Sequence, residues 1–218
     1  MSDGDGHPVR AVLFDVGGVL TASPFDAFRS YEAANLLPDG FIRTLNATNP
    51  DGNAWARLER SEVDLDRFCE LFEAEAEAAG HRLDGRAVLD LLAGDVRPAM
   101  VDALRHIKAA GLPLAALTNN IVAAPAGRLT KRAAELAEAM ALFDVVIESS
   151  KAGVRKPDPA AYQLVLDELG IAAAEIVYLD DLGINLKPAR ALGMRTIKVV
   201  DPEMALAELS DVLGIPLS

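Results

Sequence analysis

Cysteine is nearly absent from this sequence, and its scarcity excludes one class of fold. Cys69 is the single cysteine in 218 residues, so the chain can form no internal disulfide and is not a disulfide-stabilised small domain. Cations are also scarce: 21 Lys and Arg face 33 Asp and Glu, giving a formal net charge of −12. Such a chain offers no broad cationic surface, so we expect neither nucleic acid nor a membrane as a partner.

Long hydrophobic runs are missing as well. No uninterrupted apolar stretch reaches the length of a membrane span, and the start, MSDGDGHPVR, lacks the cationic and apolar parts of a secretory signal. Apolar residues nevertheless make up 51% of the chain, which is typical of a globular protein. We therefore expect a soluble, cytoplasmic protein.

The first strong pattern is the stretch AVLFDVGGVL, residues 11–20. An apolar run from Val9 to Phe14 predicts a buried strand, and it ends at Asp15, with Gly17 and Gly18 close behind. A carboxylate at the carboxyl end of a strand lies where open α/β sheets build their sites, and glycines allow a ligand to approach the backbone. Asp15 is therefore a candidate for chemistry, and the alternative is that it caps the following turn.

Residues 23–96 show no second strong strand pattern and instead predict helices. The expected helices are Pro24–Leu36, Ala54–Arg60, Leu65–Ala79 and Ala87–Leu92. Ser61 resembles the start of a capping box for the third of them. This part of the chain is predicted to be an all-helical insertion after the first strand.

From Pro98 onward, helical patterns alternate with short apolar runs. The expected strands are Leu112–Leu117, Val145–Ile147, Ile176–Leu179 and Thr196–Val200. The expected helices are Ala99–Ala110, Ala126–Ala141, Ala160–Leu169, Gly183–Ala191 and Pro202–Leu213, with a loop from Glu148 to Pro159. Strands separated by helices predict an α/β fold in which a parallel sheet of about five strands is flanked by helices.

Polar residues follow these predicted strands. They are Thr118, Asn119 and Asn120 after the second strand, Lys156 in the basic loop, and Asp180 and Asp181 after the fourth strand. Parallel strands would bring them to one edge of the sheet with Asp15. Converging carboxylates repel one another unless a cation neutralises them, and oxygen ligands suit Mg²⁺. A lysine with hydroxyl and amide groups would complete a cradle for a tetrahedral anion.

Four motifs in this order carry a resemblance. FDVGGVL, LTNN, KPDP and YLDDLGINLKPARALGM are similar to the signatures of the haloacid dehalogenase-like hydrolase superfamily. The first and last are most similar to a branch that includes the N-terminal phosphatase domain of soluble epoxide hydrolase and the N-terminal domain of acyl-CoA dehydrogenase family member ten. The resemblance implies a Rossmann-like core domain, residues 9–22 and 97–218, and a helical cap domain, residues 23–96.

The resemblance also implies an activity, the Mg²⁺-dependent hydrolysis of a small-molecule phosphomonoester. Asp15 would attack phosphorus and form an aspartyl-phosphate. Mg²⁺ would be held by the Asp15 carboxylate, the backbone carbonyl of Gly17 and the carboxylate of Asp181. Asp180 and Asn185 would orient metal-bound waters and the lysine. Thr118, the Asn119 backbone and Lys156 would bind the phosphate oxygens, and Lys156 would also steady the nucleophile and the transferring group. Asn120 is a neighbouring candidate for substrate contact.

One position departs from the family pattern. Most phosphatases of the family carry a second aspartate two residues after the nucleophile as general acid, and here that residue is Gly17. Two alternatives therefore stay open: a 2-haloacid dehalogenase, whose halide leaves without a proton, and a non-catalytic module that binds phosphate or a partner. The pair Asp180 and Asp181 favours a metal and hence phosphate over dehalogenation. The substrate is not predicted, and the chain is expected to be a monomer or a homodimer.

Overall fold

Buried apolar runs build a five-stranded parallel sheet with the strand order β3-β2-β1-β4-β5. The computed structural model describes residues 8–92, 94–120 and 131–217. The strands are β1 (Ala11–Phe14), β2 (Leu114–Thr118), β3 (Val145–Glu148), β4 (Ile176–Asp180) and β5 (Arg195–Lys198). Every residue of the inner strands β1, β2 and β4 is buried, because helices cover both faces of the sheet. The predicted Rossmann-like α/β fold class is confirmed.

Two apolar clusters lie against the two faces of this sheet. One joins β1 to α6 (Pro98–Ala109) and α11 (Pro202–Leu213) through Phe14, Leu104 and Leu209. The other joins the opposite face to α9 (Pro159–Leu169) and α10 (Gly183–Ala191) through Tyr162 and Leu186. The helices after the insertion are α6 (Pro98–Ala109), α7 (Lys131–Met140), α8 (Ser149–Ala152), α9 (Pro159–Leu169), α10 (Gly183–Ala191) and α11 (Pro202–Leu213). Within the described ranges, no helix is both long enough and apolar enough to cross a bilayer.

The predicted cap, residues 23–96, packs around an apolar cluster of its own. Its helices are α1 (Phe25–Ala34), α2 (Phe41–Ala47), α3 (Ala54–Glu59), α4 (Leu65–Ala78) and α5 (Gly85–Asp90). Phe68 and Phe72 stack with ring centroids 5.2 Å apart, and Trp55 packs edge-on at 5.0 Å from Phe68. Trp55 therefore packs inside the predicted cap.

The chain enters and leaves the predicted cap side by side. Thr21 forms an antiparallel bridge with Val96, and the amide of Ala22 donates to the carbonyl of Asp95 at 2.8 Å. The Arg97 amide donates to the Leu20 carbonyl at 2.9 Å. The two crossings therefore form one narrow connection next to β1.

Several elements differ from the prediction. Helix α2 is not predicted, because its start depends on a distant side chain: the Glu32 carboxylate accepts hydrogen bonds from the amides of Gly40 and Ile42. The one-turn helix α8 lies inside the predicted loop. Strands β2 and β5 are shifted by one or two residues, and residues 126–130 of the predicted helix 126–141 lie outside the described residues. Helix α4 is capped by Asp64, whose carboxylate accepts from the Arg67 amide at 2.8 Å, and not by Ser61.

Candidate active site

The candidate site lies where the strand order reverses. The chain passes from β1 to β2 and β3 on one side and later to β4 and β5 on the other, so a crevice opens beyond the ends of β1 and β4. Asp15 directly follows β1, and Asp180 is the last residue of β4. The Asp15 amide donates to the carbonyl of Leu179 at 2.8 Å, which extends the pairing of the two strands to the site.

Lys156 lies between these two carboxylates. Its Nζ atom is 2.8 Å from Asp15 Oδ1 and 2.8 Å from Asp180 Oδ2, and the side chain is 1% exposed. Burial alone would lower the pKa of Lys156, but the adjacent carboxylates outweigh it and hold that pKa above its ordinary value. The lysine is therefore a fixed positive charge in the floor of the site.

The backbone of Lys156 is fixed by Asn119. The Asn119 side chain accepts from the Lys156 amide at 2.8 Å and donates to the Lys156 carbonyl at 3.0 Å. This reciprocal pair joins the end of β2 to the loop that carries the lysine. Asn119 therefore positions Lys156 with its side chain, a role that the sequence did not reveal.

Asp180 is surrounded by donors. Its carboxylate accepts from the Tyr178 hydroxyl, from the Leu182 amide at 2.8 Å and from the Asn185 side chain at 3.1 Å. Burial would raise the pKa of Asp180, but the Lys156 charge and these hydrogen bonds lower it below the ordinary value. Asp180 is thus an ionised carboxylate whose oxygens are already engaged.

Tyr178 is the site residue that sequence reasoning missed. Its hydroxyl bonds Asp180, and its ring centroid lies 5.9 Å from Lys156 Nζ. The available signal was the alternation of β4, since residues two apart in a strand point to the same face. Tyr162, on α9, donates in turn to the Asn185 carbonyl at 2.6 Å.

Asp181 adds a third carboxylate. One oxygen atom from each of Asp15, Asp180 and Asp181 lies within 4.8 Å of the others. Burial raises the pKa of Asp15 to about 8, and burial together with the neighbouring Asp180 charge raises the pKa of Asp181 to about 6. Both pKa shifts reflect chiefly the cost of burying a carboxylate, which the Lys156 charge only partly offsets. Because the Asp180 oxygens are engaged elsewhere, Asp15 and Asp181 have the capacity to hold Mg²⁺, and the donor set fits that ion.

Two glycines shape the turn after Asp15. Gly18 has φ +77°, and a Cβ added there would lie 2.2 Å from Asp181 Oδ2. Gly17 has φ −69°, and an added Cβ would meet no atom within 4 Å. The close approach of the turn to Asp181 therefore requires glycine at 18 but not at 17.

Two further predicted residues, Thr118 and Asn120, lie at the end of β2 and just beyond it. Thr118 is buried at the end of β2, two residues beyond the pairing of Phe14 with Ala116, at the level of the turn after β1. The Asn120 amide group is engaged away from Lys156: it donates to Glu148 at 2.7 Å and accepts from the Ser150 hydroxyl at 2.8 Å.

Asp15 also caps the turn that follows it, since its Oδ1 atom accepts a hydrogen bond from the Val16 amide at 2.6 Å. The capping alternative for Asp15 is therefore also realised.

Comparison with known proteins decides the family. The model of the haloacid dehalogenase-like hydrolases matches residues 9–193, most of the chain. The chain belongs to this family of hydrolases. The resemblance of the four motifs to this family is thereby confirmed.

Three relatives of this hydrolase are informative. Mouse acyl-CoA dehydrogenase family member 10 is 38% identical over 97% of the chain, and pig bifunctional epoxide hydrolase 2 is 34% identical over 96%. The chain spans only 20% and 40% of the lengths of those proteins. A phosphatase from Mycobacterium tuberculosis is 30% identical over 88% of the chain and 87% of its own length. The relatives therefore include a phosphatase of similar size.

Solved structures share the fold of this hydrolase. A predicted HAD-like family hydrolase from Porphyromonas gingivalis has a TM-score of 0.63 at 22% identity, and the match covers 95% of this chain and 98% of that protein. An L-2-haloacid dehalogenase from Xanthobacter autotrophicus has a TM-score of 0.59 at 21% identity, and the match covers 93% of this chain and 82% of the other. A HAD family enzyme from Bacteroides thetaiotaomicron, in complex with magnesium and inorganic phosphate, has a TM-score of 0.56 at 19% identity. That match covers 87% of this chain and 93% of the other. At these identities the likeness concerns the fold alone.

Proposed function

We propose that this hydrolase is a Mg²⁺-dependent phosphatase that cleaves a small-molecule phosphomonoester through an aspartyl-phosphate on Asp15. The observation that carries the proposal is Asp181, a third carboxylate placed beside Asp15 and Asp180. Burial and the neighbouring Asp180 raise the pKa of Asp181, and a bound cation would stabilise the charged form of this carboxylate. The phosphatase from Mycobacterium tuberculosis supports the proposal by its similarity along most of both chains.

The first chemical step would be attack by the Asp15 carboxylate on phosphorus. The new bond joins the aspartate oxygen to phosphorus, and the bond from phosphorus to the alcohol oxygen breaks. Lys156 contacts Asp15 at 2.8 Å and so favours its ionised form and neutralises the transferring oxygens. The Thr118 hydroxyl and the Asn119 backbone amide would bind those oxygens, while Asp180 orients the lysine. We assign Asn120 to the support of the β3–α8 junction, since its side chain is engaged there.

The second step would be attack by water on the phosphorus of the aspartyl-phosphate. The bond to the aspartate oxygen breaks, which restores the Asp15 carboxylate and releases inorganic phosphate. The proton lost by the attacking water neutralises the hydroxide that forms when water protonates the departing alkoxide. Gly17 brings no acid to the site, so the departing alkoxide would take its proton from water. The enzyme is therefore suited to phosphates whose alcohol is a good leaving group.

Mg²⁺ would be held by the carboxylates of Asp15 and Asp181 and by the backbone carbonyl of Gly17. When bound, this ion supplies positive charge to the phosphoryl oxygens and screens the carboxylates from one another. Asn185, buried and bonded to Asp180, would support this arrangement. In the proposed enzyme, residues 23–96 form the cap and residues 9–22 and 97–218 the catalytic core, and its monomeric or homodimeric state and cytoplasmic location stay predictions.

The test is phosphate release. An aryl phosphate and a panel of sugar, nucleotide and lipid monophosphates would be assayed with Mg²⁺ and with EDTA. We expect release with Mg²⁺ that EDTA abolishes. Halide release from a 2-haloacid, without phosphate release, would instead establish the dehalogenase. Binding of Mg²⁺ and phosphate without any turnover would establish the non-catalytic module.

Substitution of Gly17 by aspartate tests the missing acid. The backbone at 17 has a φ that any residue adopts, and an added Cβ has open space, so Gly17→Asp should fold normally. We expect the variant to raise kcat for alkyl phosphates by about a hundredfold, the lower end of general acid catalysis, and to change kcat for aryl phosphates much less. Gly17→Asn is the matched control without an acid. An unchanged alkyl-to-aryl ratio of kcat would show that another group already supplies the proton.

Substitution of Tyr178 by phenylalanine tests the buried support of Asp180. Tyr178→Phe keeps the ring but removes one donor from the carboxylate that orients Lys156. A hydrogen bond to a charged group contributes about 1.5 kcal/mol or more, so we expect kcat to fall by about tenfold with little change in KM. Tyr162→Phe is the control, because that hydroxyl bonds a backbone carbonyl. Steady-state kinetics that show equal losses in both variants would contradict a special role for Tyr178.

A further inference from the structure

A buried carboxylate at the end of α3 has no part in the proposed mechanism. Glu59 is the last residue of that helix, and its side chain is only 9% exposed. A buried carboxylate must be paired, because removing its charge from water is costly. Burial raises the pKa of Glu59, whereas the charges of Arg155 and Lys156 and a hydrogen bond from Trp55 act in the opposite direction.

The partner of Glu59 comes from the catalytic core. Arg155 Nε lies 2.5 Å from Glu59 Oε2, and the Arg155 side chain is 20% exposed. A second nitrogen of the same guanidinium, Nη1, donates to the carbonyl of Pro50 at 2.9 Å. Arg155 therefore holds the predicted cap at two points that are separate in the sequence.

A second contact reinforces this attachment. The Ser61 hydroxyl donates to the carbonyl of Ser150 at 2.9 Å. Ser61 has φ +56°, in the left-handed region that non-glycine residues adopt rarely. Residues 50–61 of the predicted cap thus contact residues 150–155 of the core, at a place distinct from the covalent crossing at Thr21 and Val96.

The core side of this contact leads directly to the catalytic lysine. Arg155 precedes Lys156 in the chain, and the Lys156 amide is bonded to the Asn119 side chain at 2.8 Å. The loop before Lys156 is therefore fixed from the sheet by Asn119 and from the predicted cap by Glu59. Displacement of the predicted cap would release one of these two restraints.

We propose that Glu59 and Arg155 form a clamp that positions Lys156 when the predicted cap lies against the core. Both are positioning residues, since they act through the lysine and not on substrate. A displacement of about 1 Å in a catalytic group can cost a hundredfold in rate, so a loosened loop would lower kcat more than it weakens substrate binding. The proposal rests on the proposed function because Lys156 has its role only there.

The test compares Glu59→Gln, Arg155→Gln and the double variant. We expect each single variant to lower kcat about tenfold or more with less than a twofold change in KM, and the double variant to be no worse than the poorer single one, since both remove one interaction. Arg155→Lys, which keeps the charge, should recover part of the loss. Arg105→Gln, which removes an exposed pair with Asp102 on α6, is the matched control and should leave kcat unchanged.

Hydrogen exchange gives a readout that does not need turnover. The Lys156 amide should exchange faster in Glu59→Gln and Arg155→Gln, while the amides of β1 and β4 keep their wild-type protection. Unchanged kcat and unchanged exchange at Lys156 in both variants would overturn the clamp, as would exchange that rises equally through the whole chain. Local exchange at Lys156 in a protein without phosphatase activity would support the clamp and refute the proposed function.

Discussion

Asp15→Asn should abolish phosphate release while the protein stays folded. The amide is not a nucleophile, and loss of a nucleophile that acts together with its neighbours lowers kcat by about a thousandfold or more. The same substitution places a neutral amide in a group of three carboxyl groups, where burial disfavours the charged form and raises the pKa of Asp15 to about 8. We therefore expect the thermal unfolding temperature of the metal-free variant to equal or exceed that of the wild type.

The measurements are kcat on an aryl phosphate and thermal unfolding with and without Mg²⁺. Mg²⁺ should stabilise the wild type and should stabilise Asp15→Asn less, because one ligand is lost. Asp102→Asn, which changes an exposed carboxylate on α6, is the control for charge alone. Wild-type turnover in Asp15→Asn would eliminate Asp15 as the nucleophile.

Gly18→Ala should impair metal binding, whereas Gly17→Ala should not. A Cβ at position 18 would lie 2.2 Å from Asp181 Oδ2, and φ at that position is +77°, so the alanine must displace either the turn or the carboxylate. A Cβ at position 17 meets nothing within 4 Å. Identical substitutions at adjacent positions therefore differ in backbone strain and in their effect on Asp181.

We expect Gly18→Ala to weaken Mg²⁺ binding and kcat/KM by at least about tenfold, in the range found for groups that orient metal ligands. Calorimetric titration of Mg²⁺ and kinetics at varied Mg²⁺ would show the effect. Excess Mg²⁺ should restore part of the activity of Gly18→Ala. Equal Mg²⁺ affinities in the two alanine variants would contradict the placement of Asp181 as a ligand.

The sheet was predictable because its signals are local. Short apolar runs closed by polar residues mark β1, β2 and β4, and their order among helices specifies parallel pairing. The convergence of Asp15, Lys156 and Asp180 follows from that pairing, since parallel strands end at the same edge. The polar residues that end the strands therefore predict both the strand boundaries and the position of the candidate site.

The features that the sequence did not predict are not local, since each depends on a side chain far away in the sequence. Helix α2 begins where the Glu32 carboxylate accepts hydrogen bonds from the backbone amides of Gly40 and Ile42. The pair of Glu59 and Arg155 joins residues 96 positions apart, and neither residue stands out in its own segment. Periodicity carries no information about such contacts, because it describes which face of an element is buried and not what the opposing element presents there.

The separate apolar cluster of the predicted cap has an evolutionary consequence. Among the described residues, this cluster shares no member with the two clusters that cover the sheet. Substitutions at distant, independent sites usually add in their effects on stability. Substitutions around Phe68 and Phe72 should therefore leave the stability of the sheet around Asp15 little changed, so the apolar interior of the predicted cap can diverge at its own rate.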